Sequence, residues 1–185
     1  TSLDEVVLPE GIESIGSRAF ANSSVTTINL PSTLVTIADE AFDGVTNISG
    51  TAEEETPAYE WAMGKGYFDL DRIPITPSYE FVFEVASGTI KSYVGTRKYV
   101  RIPSSIDSVL VRTIAANAFD GNTMIKTLII PETVTSIGHC AFQNCTGLER
   151  VESPIAWPTN SNIYPFDGCA LKEFTVVGDI TSIHN

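Results

Sequence analysis

The chain has little of what most active sites are made of. Its 185 residues include three cysteines and two histidines, almost no material for a zinc centre that needs four such ligands. No G-x-S-x-G is present, and neither His139 nor His184 lies in a motif that would place a serine and an aspartate beside it. The calcium-loop pattern D-x-D-x-D-G is missing as well. No stretch approaches the roughly 18 apolar residues that span a bilayer, and no basic segment followed by an apolar one opens the chain. Bases are scarce: 11 Lys+Arg against 23 Asp+Glu leave a net charge of -12, which repels nucleic-acid phosphates and anionic lipid headgroups alike. The residue inventory therefore predicts no nucleic-acid partner, no direct membrane insertion, no metal or cofactor and no catalysis.

What is abundant is a repeat. "LPEGIESIGSRAF" ends at Phe20, "LPSTLVTIADEAF" at Phe42 and "IPETVTSIGHCAF" at Phe142, each with a proline eleven residues before the phenylalanine. A fourth copy, "IPSSIDSVLVRTIAANAF", ends at Phe119 with five residues inserted between Ile106 and Ile114, and a degenerate fifth keeps Pro154 and Phe166. Phe20 to Phe42, Phe119 to Phe142 and Phe142 to Phe166 are 22, 23 and 24 residues apart, a period that marks a solenoid. Helices ending in Ala-Phe fit poorly. Each unit carries a mid-unit proline among β-branched residues, as in "SVTTINLPSTLVTI", which suits a short strand, a turn and a second extended piece. Apolar residues alternate before the proline, so Ile28 and Leu30, or Leu128 and Ile130, face a core in which each coil stacks on the next.

The pattern L-x-x-[IVL]-x-[LI]-P-x-x-[VIL]-x-x-I-[GA]-x-x-A-F-x-x-C resembles the BspA-like leucine-rich repeats of bacterial surface proteins. That resemblance implies a mostly β solenoid of short parallel strands in right-handed coils, with one short α-helix and a β-hairpin cap. "YEFVFEVASGTIKSYVGTRKYV" is similar to the hairpin that begins such arrays. "ISGTAEEETPAYEWAMGKGYFDL" is similar to the helix and strand that end them. An ending thus precedes a beginning. The expected organisation is the C-terminal part of one array over residues 1–77 and a second array over 78–185, joined at the proline-bearing "DRIPITPSY". Charge agrees with two units: the first holds 13 acids and 3 bases, the second 10 and 8. By the same reading the chain starts mid-array.

"HCAFQNC", His139 to Cys145, is the one stretch that looks like a thiol or metal site. The slot of Cys145 holds Ser23, Val45, Asn122 and Cys169 in the other repeats, and that of Cys140 holds Arg18, Glu40 and Asn117. Positions so freely exchanged read as packing and turn positions. Cys145 and Cys169 stand about one strand spacing apart, near 4.8 Å, within disulfide reach, but stacked side chains point the same way, which suits a ladder of free, buried thiols better than a bond. The acids of "AEEETP" at 52–57 read as charge ahead of a helix starting near Pro57.

The remaining candidate is the strand face turned away from the core. Counting along each strand places Glu5 and Val7, Thr27 and Asn29, Asn47 and Ser49 there in the first array. In the second it places Tyr99 and Arg101, Thr127 and Ile129, Arg150 and Glu152, Glu173 and Thr175. Solenoids bind along such a surface, and an exposed tyrosine, two arginines and an isoleucine are residue types enriched at interfaces. The family resemblance implies an exported, non-catalytic adhesion module at the bacterial cell surface, with a protein or host-surface ligand on Tyr99, Arg101, Thr127, Ile129, Arg150 and Glu152. A spacer, or a carbohydrate-binding accessory region using Tyr59, Trp61, Tyr67 or Trp157, are the alternatives.

Overall fold

A computed structural model describes residues 4–46, 48–54, 56–65, 67, 73–154 and 164–177. Two compact units divide at Arg72 and Ile73. In the first, β1 (Glu5–Val7), β2 (Ser14–Ile15), β3 (Thr27–Asn29), β4 (Thr36–Ile37) and β5 (Ser49–Thr51) precede α1 (Pro57–Gly64). β1, β3 and β5 form one parallel sheet in that order, and β2 and β4 a second. The chain thus alternates between two sheets once per repeat, as a coil must. Thr56 starts α1: its hydroxyl accepts from the Tyr59 N–H at 3.2 Å, with proline at the first helical position, where a missing N–H costs nothing. Trp61 and Tyr67 lie on Phe42 at ring separations of 5.3 and 6.2 Å, covering the coil face that would otherwise meet water.

The second unit contains β6 (Phe81–Glu84), β7 (Thr89–Tyr93), β8 (Tyr99–Arg101), β9 (Ser105–Ile106), β10 (Val109–Leu110), β11 (Thr113–Ile114), β12 (Thr127–Ile129), β13 (Ser136–Ile137), β14 (Arg150–Ser153) and β15 (Glu173–Val176). β8, β12, β14 and β15 pair in parallel. β7, β11 and β13 form the opposite parallel sheet, with β6 added antiparallel on β7. The five inserted residues of the fourth repeat make a hairpin of β9 and β10. Asp107 and Ser108 turn it with φ of 51° and 64°, the left-handed pair that a two-residue hairpin loop requires.

Stacked rings run up the core of this unit. Tyr93, Phe119, Phe142 and Phe166 follow one another at centroid separations of 5.2, 4.8 and 4.9 Å. Tyr93 takes the first rung although it belongs to the hairpin and not to an Ala-Phe repeat. In the first unit Phe20 stacks on Phe42 at 5.0 Å and 13°. Phe20 is only half-buried, short of the full burial that the repeat alignment predicts, because it belongs to the coil of β1, the edge strand of its sheet.

The Ala-Phe segments are tight turns, not helices. Two residues past each phenylalanine the backbone is left-handed: Asn22, Gly44, Gly121, Asn144 and Gly168 have φ of 54°, 75°, 71°, 56° and 72°. Asn and Gly tolerate that region best, which accounts for the choice at all five positions. Two residues before the phenylalanine, Arg18, Asn117 and Cys140 are also left-handed, at 59°, 57° and 55°. Arg18 is exposed and carries a β-carbon penalty there without burying anything. Arg18→Asn is expected to stabilise the first unit by about 0.5–1 kcal/mol, read as a higher denaturant midpoint.

Candidate functional site

The parallel register of the second unit builds two rows on the outward strand face. Tyr99, Thr127, Arg150 and Glu173 form one; Arg101, Ile129, Glu152 and Thr175 form the other. Between them Val100, Leu128 and Val151 point inward and are fully buried. The positions named from the sequence are thus brought together on adjacent strands.

Their exposure differs from expectation. Thr127 and Ile129 are 7% and 4% exposed, so Ile129 is no free apolar anchor. It stands between Arg101 and Glu152 in its row, where long side chains on strands about 4.8 Å to either side restrict its access to solvent. Tyr99, Arg101, Arg150 and Glu152 are half-buried. Arg101 also holds the fold together: its Nη1 donates to the Ile73 carbonyl at 3.2 Å. Its backbone N–H donates to Thr76 Oγ1 at 3.0 Å, and the Thr76 N–H donates back to the Arg101 carbonyl at 2.9 Å. Residues 73–76 thereby cover the open side of β8, which would otherwise present unpaired backbone groups. Arg150 pairs with Glu173 through two nitrogens, each at 2.7 Å.

In the first unit the rows are Glu5, Thr27, Ser49 and Val7, Asn29, Thr51. Counting from Val45 puts the third pair at Asn47 and Ser49; the register corrects this to Ser49 and Thr51. The inward residue of β5 is Gly50, which has no side chain to mark the apolar position. Asn47 lies outside the described residues.

A strand, a proline turn, a second strand and an Ala-Phe turn recur once per coil, and this recurrence is what a repeat-family model measures. The model of the BspA type leucine-rich repeat region matches six copies, over residues 1–55 and 96–185. The chain belongs to this family.

No curated protein matches. Among solved structures, the BspA-type chain is similar to a T. pallidum leucine-rich repeat protein at 32% identity, over 42% of this chain and 38% of that one, with a TM-score of 0.41. A leucine-rich cell surface protein of Faecalibacterium prausnitzii matches at 19% identity over 97% of this chain and 61% of its own, TM-score 0.36. The pneumococcal vaccine antigen PcpA matches at 19% over 94% and 47%, TM-score 0.36. The chain spans less than two thirds of each.

The other BspA-type candidates fall into place by contact. His139 packs edge-on against the Tyr164 ring at 6.3 Å. Cys140 occupies a left-handed turn position. Cys145 is buried and its Sγ donates to the Phe119 carbonyl of the preceding coil at 3.1 Å; Cys169, half-buried, donates likewise to the Phe142 carbonyl at 3.0 Å. All three cysteines are unbridged. Among the described residues no group of three or more His, Cys, Asp or Glu converges as metal ligands would, and no helix is long and apolar enough to cross a membrane. Tyr59 is 4% exposed, and burial, with a smaller part from Glu54, pushes its phenol up to about 12. Trp61 and Tyr67 pack on Phe42 and on each other at 5.3 Å. Trp157, His184 and Glu55 lie outside the described residues.

One arrangement left no mark in the repeat pattern. Glu80 is 8% exposed, accepts from the Tyr93 hydroxyl at 3.0 Å and pairs with Arg97 Nε at 2.7 Å. Its members lie outside the repeat, where periodicity has nothing to say. The single available signal was an acid directly before the apolar strand "FVF".

Proposed function

We propose that this BspA-type protein is a binding module of a bacterial cell-surface protein, holding a protein or host-surface ligand on the outward strand face of its second unit. The observation that supports the reading is the pair of in-register rows, which sets Tyr99 and Arg150 on one line and Arg101 and Glu152 on the other. Tyrosine and arginine are the side chains that most often carry interface energy. Ile129 and Thr127 act as the floor beneath them. Three of the four aromatic residues named for a sugar are committed elsewhere: Tyr59 is buried, and Trp61 and Tyr67 cover Phe42.

The test is a double variant, Tyr99→Ala with Arg150→Ala, in the full chain. Arg101 is left alone because it anchors residues 73–76. Adhesion to intact epithelial cells should weaken by more than about tenfold, at roughly 2 kcal/mol for each central anchor. The melting midpoint should move little, since partly exposed strand residues contribute little to a core. Unchanged adhesion in a normally folded double variant would leave the spacer reading.

A further inference from the structure

The repeat slot places two thiols, Cys145 and Cys169, on successive coils. Cys145 and Cys169 share one local conformation, each N–H donating to the carbonyl three residues back, at 3.3 and 3.2 Å. Beside them the coils are joined by the Asn144 N–H on the Asp167 carbonyl at 2.8 Å. The preceding rings, Phe142 and Phe166, stack at 4.9 Å with 5° between their planes. Two coils parallel at that spacing hold equivalent residues within the about 4.4–6.8 Å Cα range of a disulfide. Each Sγ now points back to the carbonyl of the coil before it, so bonding requires one of them to turn. Cys169, half-buried, has that room; Cys145 does not.

We propose that Cys145 and Cys169 are a redox-convertible pair that a small-molecule disulfide oxidant links into a bond between adjacent coils, independently of any ligand on the strand face. The Cys169 thiol loses its proton and attacks the oxidant, forming a mixed disulfide and releasing one oxidant thiolate, which takes up a proton. The Cys145 sulfur then loses its proton and attacks Cys169 Sγ, forming the Cys145–Cys169 bond and expelling the second oxidant thiol. Two electrons pass from the cysteines to the oxidant, which leaves as two thiols. The order follows from access, since Cys169 is half-buried and Cys145 is buried. The neighbouring thiol, together with burial, pushes Cys145 well above the usual thiol range, and Cys145 in turn holds Cys169 below its ordinary value. Cys140 sits in a separate turn and takes no part.

The experiment treats the folded full chain with oxidised glutathione, blocks remaining thiols with iodoacetamide and maps the products by mass spectrometry. The expected product has lost two hydrogens at the Cys145–Cys169 cross-link and carries a single alkyl group, on Cys140. Its melting midpoint should rise by roughly 5–10 °C, since a 24-residue loop is closed in the unfolded chain. Cys145→Ser should stop at the glutathione adduct on Cys169. If that variant misfolds, Cys145→Val, carrying the residue that fills the same slot at Val45, gives the same reading. Three alkylated thiols, a stable adduct on Cys169 of the parent, or a bond through Cys140 would each overturn the proposal.

Discussion

Phe142→Ala is expected to unfold the second unit near physiological temperature. Phe142 is fully buried and is a middle rung, with Phe119 at 4.8 Å on one side and Phe166 at 4.9 Å on the other. Truncation removes ring contacts on both faces and leaves a cavity that neighbouring coils cannot close, because their spacing is set by backbone hydrogen bonds. The Phe142 N–H on the Pro165 carbonyl at 2.7 Å and the Phe119 N–H on the Ala141 carbonyl at 2.7 Å keep the rungs where they are. Such a change costs about 3–5 kcal/mol, a large share of what a domain of this size has. Phe20→Ala is the internal control. Phe20 is half-buried and stacked on one face only, so it should lose much less. Thermal melts of the two variants read both, and a Phe142→Ala midpoint within a degree or two of the parent would mean that the ladder does not carry the core.

The second large effect is expected at Glu80. Glu80→Ala leaves the Arg97 guanidinium and the Tyr93 hydroxyl without their shared acceptor, in a site where the Glu80 and Arg97 side chains are 11% and 24% exposed. Breaking a buried pair by removing one member costs about 3–5 kcal/mol; partial hydration of Arg97 lowers this to about 2–3 kcal/mol. The loss should fall on the second unit, since Tyr93 is also the first rung of its ladder. The same contact gives an alkaline signature. Burial first, then the hydrogen bond to Glu80, raises the Tyr93 phenol above its ordinary value. A group raised in the folded state contributes stability that is whole below its unfolded value, about 10 for tyrosine, and is lost as pH rises beyond it. Denaturant midpoints should therefore fall above about pH 10 in the parent, and Tyr93→Phe should flatten that limb.

Much of this molecule was legible in its residues, and for a physical reason. A solenoid repeats one local conformation, so the proline turn, the inward alternation and the Ala-Phe corner recur at one period and reinforce each other. Leu128 and Ile130, read from the sequence as facing the core around a short strand, are buried in and beside β12 at Thr127–Ile129, and the helix read as starting near Pro57 is α1 at Pro57–Gly64. The pairing of Tyr99 with Thr127 and Arg150 followed from the same count. It failed at β5, where Gly50 carries no side chain to count.

Period and composition by themselves determined the solenoid, the phenylalanine rungs of the ladder and, outside β5, which residues share a row, because each depends on neighbours that the repeat supplies in order. How far each row residue meets solvent was decided by the tertiary structure alone. Ile129 is covered because long side chains flank it on both adjacent strands, and Arg101 is tied to the Ile73 carbonyl by a segment that precedes the repeats. Glu80, Arg97 and Tyr93 meet only when the hairpin folds back. Burial and charge pairing are properties of surroundings, and those surroundings come from parts of the chain that no period connects.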